Sequence, residues 1–158
     1  MCMKKQKITV QPVVSDKRFE VGFHILNQWL YLRQRGKGLK LFFQDNLIES
    51  VAIYGMGILG ERLFDELKED GITVKYGIDR IASSKNIPDL KIYSSEEETF
   101  QKIDVIVVTP VQDYWAITNV LEMKTVAAIV SLKDVIDYCR AGEEEWAENI
   151  RINKRRRF

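Results

Sequence analysis

One histidine, His24, occurs in the 158 residues. Without a second imidazole, a histidine-based metal centre or a serine–histidine relay has nothing to work with, and no metal ligand set is expected. His24 falls instead on the polar arc of an expected helix, beside Glu20, Asn27 and Gln28, where a solvated role fits it best. Cysteine is nearly as scarce. Cys2 and Cys139 lie far apart in no metal or redox spacing, and read as a terminal thiol and a helix-face residue of a protein kept in a reducing, cytoplasmic compartment. No apolar run approaches the ~18 residues that a membrane span requires. The start at Lys4, Lys5 and Lys7 looks like the head of a secretory leader. The apolar stretch behind it is short and broken by Gln11 and Pro12, so secretion is not expected.

An excess of one charge is missing too, since the net formal charge is +1. The balance is nevertheless uneven along the chain. Residues 1–50 carry nine Lys and Arg against four Asp and Glu, residues 51–142 ten against fifteen, and residues 143–158 five against four. The leading segment is basic and the following domain acidic, which suits electrostatic contact between them or with other chains. No basic face marks a nucleic-acid binder. The length fits one domain with a sizeable core and leaves no room for a second, full substrate domain.

What is present centres on one stretch, VAIYGMGILG, from Val51 to Gly60. An apolar run, Val51 to Tyr54, feeds into Gly55, Gly57 and Gly60 at G-x-G-x-x-G spacing. An amphipathic pattern through Leu59, Leu63, Phe64 and Leu67 follows and stops at Gly71, and a second strand pattern then ends in Asp79. Strand, glycine turn, helix, strand and acid form the dinucleotide-binding fingerprint of a Rossmann-like fold. Gly55 permits the tight turn, Gly57 lets backbone approach a phosphate, and Gly60 lets the helix lie close. Amides at the helix start would then point at an anion, aided by the helix dipole.

The rest of the chain organises around that unit. Residues 1–16 are polar and read as a flexible N-terminus, and residues 17–48 as a helical extension. In Lys17 to Arg35, Phe19, Phe23, Leu26 and Leu30 form one stripe, and Val21, Ile25, Trp29 and Leu32 another beside it. Together they make an apolar arc of roughly 200°, wider than one contact face uses. Such a helix asks for contact on two sides, either by packing across its own domain or by also meeting a second copy in a homodimer through Phe23, Leu26, Trp29 and Leu30. Gly36-Lys37-Gly38 breaks this helix, and Leu39 to Asn46 makes a short second one.

Residues 49–142 should hold the Rossmann-like domain. Thr73 to Asp79 reads as the second strand, Lys91 to Tyr93 as the third, and Ser95 with Glu98 as the capping box of another helix. Ile103 to Thr109 is a continuous apolar run that marks a central strand, and Pro110 ends it. A helix from Gln112 to Met123, a strand from Thr125 to Val130 and a final helix capped by Ser131 complete the alternation. The order predicts an α/β doubly wound parallel sheet, 3-2-1-4-5. Residues 143–158 read as an amphipathic piece with Trp146 and Ile150, followed by a basic tail.

The segments IYGMGILGERLFDELKEDGITVKYGID, DLKIYSSEE and DVIVVTP resemble Rossmann-like domains associated with bacterial surface-polysaccharide synthesis. Similar domains precede the catalytic part of capsule-type nucleotide-sugar dehydratases and of some sugar acetyltransferases. Others accompany glycosyltransferases, behind a helical lead-in comparable to LNQWLYLRQRGKGLKLFFQDN. The resemblance implies a nucleotide, a dinucleotide such as NAD, or a nucleotide-sugar as ligand, and a glycosyltransferase or sugar-modifying enzyme as partner. It matches Gly55, Met56, Gly57, Ile58, Leu59 and Gly60 to the phosphate loop, Asp79 to the ribose-binding acid, and Thr109-Pro110 to the turn beyond the fourth strand. A carboxylate at Asp79 leans towards NAD over NADP, with Arg80 able to compensate.

Autonomous catalysis is harder to support. Glucose–fructose-type oxidoreductases need a lysine after the fifth strand, where Ser131 and Leu132 stand. The Tyr-x-x-x-Lys pair of short-chain dehydrogenases is absent, since Tyr114 is followed by Thr118. Candidate acid–base groups near the crevice are Asp113, Tyr114 and Tyr54, none with an obvious partner, and no catalytic residue is assigned. The expected function is an accessory nucleotide-binding module. An NAD-dependent oxidoreductase completed by a partner chain and a ligand-free interaction domain are the alternatives.

Overall fold

The computed structural model describes residues 17–142; the expectations for residues 1–16 and 143–158, including Cys2 and the basic tail, lie outside them. The lead-in comprises α1 (Lys17–Gln34) and α2 (Lys40–Asp45). The alternation then runs β1 (Ser50–Tyr54), α3 (Ile58–Glu69), β2 (Thr73–Asp79), β3 (Ile92–Ser94), β4 (Val105–Val108), α4 (Tyr114–Leu121) and β5 (Ala128–Ser131). A last helix, α5, follows over residues 132–142. All five strands are parallel, in the order β3-β2-β1-β4-β5, as the alternation predicts.

The sheet sorts its apolar side chains by the two-residue period of a strand. Val51, Ile53, Val105 and Val107 point to one face, where α1, α2, α3 and α5 supply Trp29, Leu32, Phe43, Leu63, Leu67, Leu132 and Ile136. Ala52, Tyr54, Ile106 and Val108 point to the other, against Leu121 and Ile117 of α4. The N-terminal extension therefore shares the main core of the sheet. Asp104 joins the amino ends of β1 and β4: its carboxylate accepts from the Glu49 and Ser50 amides at 2.9 and 2.8 Å. Those amide bonds, followed by the Ser50 hydroxyl, hold its pKa below the usual carboxylate value.

Two expectations fail here for physical reasons. The helix expected from Ser95 does not form, and residues 95–102 run as turn and extended chain. Ser94 Oγ accepts the Glu96 amide and the Ser94 carbonyl accepts the Glu97 amide, which makes a tight turn in place of a helix cap. Among Glu96, Glu97, Glu98 and Thr99 there is no apolar stripe to bury, so a favourable cap had no helix to stabilise. Phe100 covers that face instead, stacked on Tyr76 at 6.2 Å, while Tyr93 meets Tyr76 edge-on at 5.4 Å. Tyr76 donates to the Gln101 carbonyl at 2.6 Å, and burial pushes its pKa up to about 12.

The second concerns α1. Its two apolar stripes part company: Ile25, Trp29 and Leu32 are buried against the sheet, whereas Phe19, Phe23, Leu26 and Leu30 are exposed. Trp29, expected at a dimer contact, is 5% exposed and belongs to the internal core. One buried acid fixes it there. Glu66 of α3 accepts from the Trp29 indole N–H at 2.5 Å and from the Leu39 amide at 2.8 Å, with the Arg33 guanidinium 3.9 Å away. A Cβ at Gly38 would stand 2.5 Å from the Glu66 carboxylate, so the glycine is what lets the α1–α2 turn reach this acid. Burial, the largest influence, raises the pKa of Glu66 above its ordinary value.

Candidate functional site

The candidate site lies at the carboxyl ends of β1, β2 and β4, where strand order reverses between β1 and β4. Gly55 takes φ +89°, a left-handed conformation that side chains disfavour, and its amide donates to the Ile78 carbonyl at 2.8 Å. The turn is tight at Gly55 and Gly60. A Cβ at Gly55 would lie 2.6 Å from both Pro110 Cδ and Thr109 Oγ1, and one at Gly60 would lie 2.1 Å from the Gly55 carbonyl. Gly60 thus admits α3 against the turn itself. Gly57 differs: its backbone is extended, at φ −81° and ψ −160°, and among the described residues a Cβ there would meet nothing within 4 Å. Packing among those residues does not require a glycine at that position.

Gly57 is the N-cap of α3, and among the described residues no side chain caps the helix. The first amides of an α-helix have no intrahelical acceptor, and they carry the positive end of its dipole. Ile58 is 72% exposed at the rim of this opening, and Leu59 is half-buried beneath it. Met56 contributes backbone alone. Its side chain is fully buried over Gly77, where a Cβ would come 2.9 Å from Met56 Cγ.

The acid at the end of β2 is drawn into the turn. Asp79 Oδ2 accepts the Met56 amide at 2.8 Å, and Oδ1 accepts the Ile81 amide at 2.9 Å. Each oxygen retains a second lone pair, so the carboxylate can clamp the glycine turn and still accept from a diol. Sequence reasoning identified Asp79 but not its bond to Met56, because that bond depends on the pairing of β1 with β2. Arg80, next in the chain, is exposed.

Thr109 and Pro110 pack against the turn at Gly55, in a buttressing position. The Thr109 hydroxyl lies 2.7 Å from the Gly55 carbonyl and 3.1 Å from that of Tyr54, and Thr109 is 4% exposed. Of the acid–base candidates, Tyr114 donates to the Ile129 carbonyl at 2.9 Å, and Tyr54 is buried on the second face of the sheet. Asp113 is exposed, and its carboxylate accepts from the Gln112 side-chain Nε2 at 3.4 Å.

A separate cleft of about 480 Å³ lies past Pro110 in the chain, at the ends of β4 and β5. One wall is the segment Val111 to Trp115, another is Val21, His24, Ile25 and Gln28 of α1, and the β5–α5 junction supplies Ser131, Lys133 and Asp134. Ser131 caps α5 as its sequence position suggests, its hydroxyl accepting the Asp134 amide at 3.0 Å. The sequence signalled that α1 needs contact on two sides, but not that the contact would bring His24 and Gln28 to this cleft.

Among the described residues, no group of three or more His, Cys, Asp or Glu side chains is arranged to hold a metal ion. No helix among them is long and apolar enough to cross a membrane. No family model, curated protein or solved structure matches the chain.

Proposed function

We propose that this chain is an accessory nucleotide-binding module of bacterial surface-polysaccharide metabolism. Its ligand is a nucleotide, dinucleotide or nucleotide-sugar whose phosphates sit on the glycine turn and the first amides of α3. The observation that carries this reading is the empty space at Gly57. Gly55 and Gly60 are explained by internal crowding, whereas a Cβ at Gly57 would meet none of the described residues, at a helix start that none of their side chains caps, where an anion is favoured. Asp79 then accepts from the ribose hydroxyls, which favours NAD over NADP should the ligand be a dinucleotide. In this reading the chemistry resides in another domain or chain, a glycosyltransferase or sugar-modifying enzyme, and the module works in the cytoplasm.

The exposed stripe of α1 supports a second copy as partner. Phe19, Phe23, Leu26 and Leu30 are 77, 69, 38 and 56% exposed, and they recur at intervals of four, three and four residues. That is the seam spacing of paired helices.

Calorimetry with NAD, NADP, UDP and ADP tests the ligand assignment. The wild-type chain should bind at least one of them. Gly57→Val should lose that binding while keeping the fold, since the extended backbone accepts a branched residue and its side chain enters the anion's space. Equal binding by wild type and variant, or no binding by the wild type, would overturn the reading.

A further inference from the structure

The wall that buttresses Gly55 through Thr109 and Pro110 runs on to Trp115, so the glycine turn and the 480 Å³ cleft share one continuous segment. The volume falls within the ~300–1,000 Å³ of ordinary small-molecule sites. Its chemistry suits a neutral, hydroxyl-rich ring better than a second anion. The Lys133 ammonium is paired with Asp137 one turn along α5, and the Asp134 carboxylate at the cleft repels a phosphate. The Asp134 amide is already bonded to Ser131. The walls also carry the carboxamides of Gln28 and Gln112 and the imidazole of His24, all able to donate to or accept from hydroxyls. Trp115 stands beside them 76% exposed, its indole braced edge-on against Tyr114 at 5.3 Å. The free face of an indole is a flat apolar surface with the dimensions of a sugar ring.

We propose that this cleft receives the sugar ring of a nucleotide-sugar, stacked on Trp115 and hydrogen-bonded by His24 and Gln28 of α1 together with Gln112. The inference rests on the nucleotide reading of the glycine turn and adds the identity of the second half of the ligand. It also gives α1 a role in specificity. The contacts that hold Trp29 against Glu66 fix the neighbouring turn, which carries His24 and Gln28.

The test is calorimetry with UDP-glucose, dTDP-glucose and GDP-mannose, each beside its own nucleoside diphosphate. At least one sugar form should bind about tenfold more tightly than its diphosphate. Trp115→Ala should erase that difference and leave diphosphate affinity within about twofold. Gln28→Ala should reduce the difference as an independent check. Circular dichroism should show both variants folded, since Trp115 is largely exposed and Gln28 half-exposed. Diphosphate binding that Gly57→Val abolishes, with no gain from any sugar, overturns this proposal and leaves the nucleotide reading intact. NAD binding weakened by Trp115→Ala more than that of every nucleotide-sugar also overturns it, because the cleft would then take a nicotinamide. Absence of all diphosphate binding overturns both.

Discussion

Removing the Glu66 carboxylate should loosen the lead-in helices from the domain, and the size of the effect follows from the two donors that meet there. Trp29 Nε1 and the Leu39 amide each reach one oxygen of Glu66, and both bonds are buried. A buried donor left without a partner costs about 1–3 kcal/mol. Glu66→Ala orphans both donors, while the cost of burying the carboxylate itself is relieved, so a net loss of about 2–5 kcal/mol is expected. At roughly 2–4 °C per kcal/mol for a chain of this size, the melting temperature should fall by roughly 4–20 °C. Glu66→Gln keeps one acceptor oxygen, orphans one donor and should lose about 1–3 kcal/mol. In a Trp29→Phe background the same change should cost less, since one of the competing donors has gone.

The pH dependence has a definite sign. Because burial raises the folded pKa of Glu66 above the usual 4.5, the folded chain holds this proton more tightly than the unfolded chain does. The stability linked to that proton is full below 4.5 and is lost as pH rises through the raised value. Wild type should therefore gain stability relative to Glu66→Gln as pH falls through that window. Urea unfolding followed by circular dichroism reads all of these quantities. A Glu66→Ala loss below about 0.5 kcal/mol, the scale of an ordinary surface substitution, would refute the reasoning. So would a wild-type advantage that shrinks on acidification.

Gly60→Ala should be far more damaging than Gly57→Ala, because its Cβ would lie 2.1 Å from the Gly55 carbonyl while that of Gly57 meets open space; thermal melts of the two variants, with similar losses as the contrary result, decide this. Phe23→Asp should weaken self-association without unfolding the chain, given 69% exposure, and sedimentation at roughly tens of micromolar, above the dissociation constants of standard interfaces, checks it. A clean wild-type monomer would remove the paired-helix proposal. Asp79→Asn should lower the melting temperature as well as ribose affinity, since one oxygen can no longer accept from the Met56 or Ile81 amide; an unchanged melting temperature would contradict the clamp.

Local chemistry was the legible part. Gly55, Gly57 and Gly60 stand within six residues of a strand and a helix whose periodicities announce themselves, so the turn and the sheet order could be read directly. Contacts set by register could not. Asp79 meets Met56, and Thr109 meets Gly55, only because β2 and β4 flank β1. Ser95 and Glu98 satisfied the rule for a helix start, yet the segment had no apolar face, and Phe100 filled the space a helix would have covered. On α1 the sequence showed two stripes but not which would turn inward. That choice is fixed by Glu66, 37 residues from Trp29, through a hydrogen bond invisible to periodicity. The same placement brings His24 and Gln28 to the cleft at the ends of β4 and β5, which no spacing within α1 could have disclosed.

The anion site proposed at the start of α3 can be read amide by amide, from the backbone shifts of ¹⁵N-labelled protein titrated with UDP, ADP and NAD. Saturable changes for at least one nucleotide, largest at the Gly57, Ile58, Leu59 and Gly60 amides and lost in Gly57→Val, are the predicted result. Saturable changes that cluster elsewhere, or no change at these amides with any nucleotide, would contradict it.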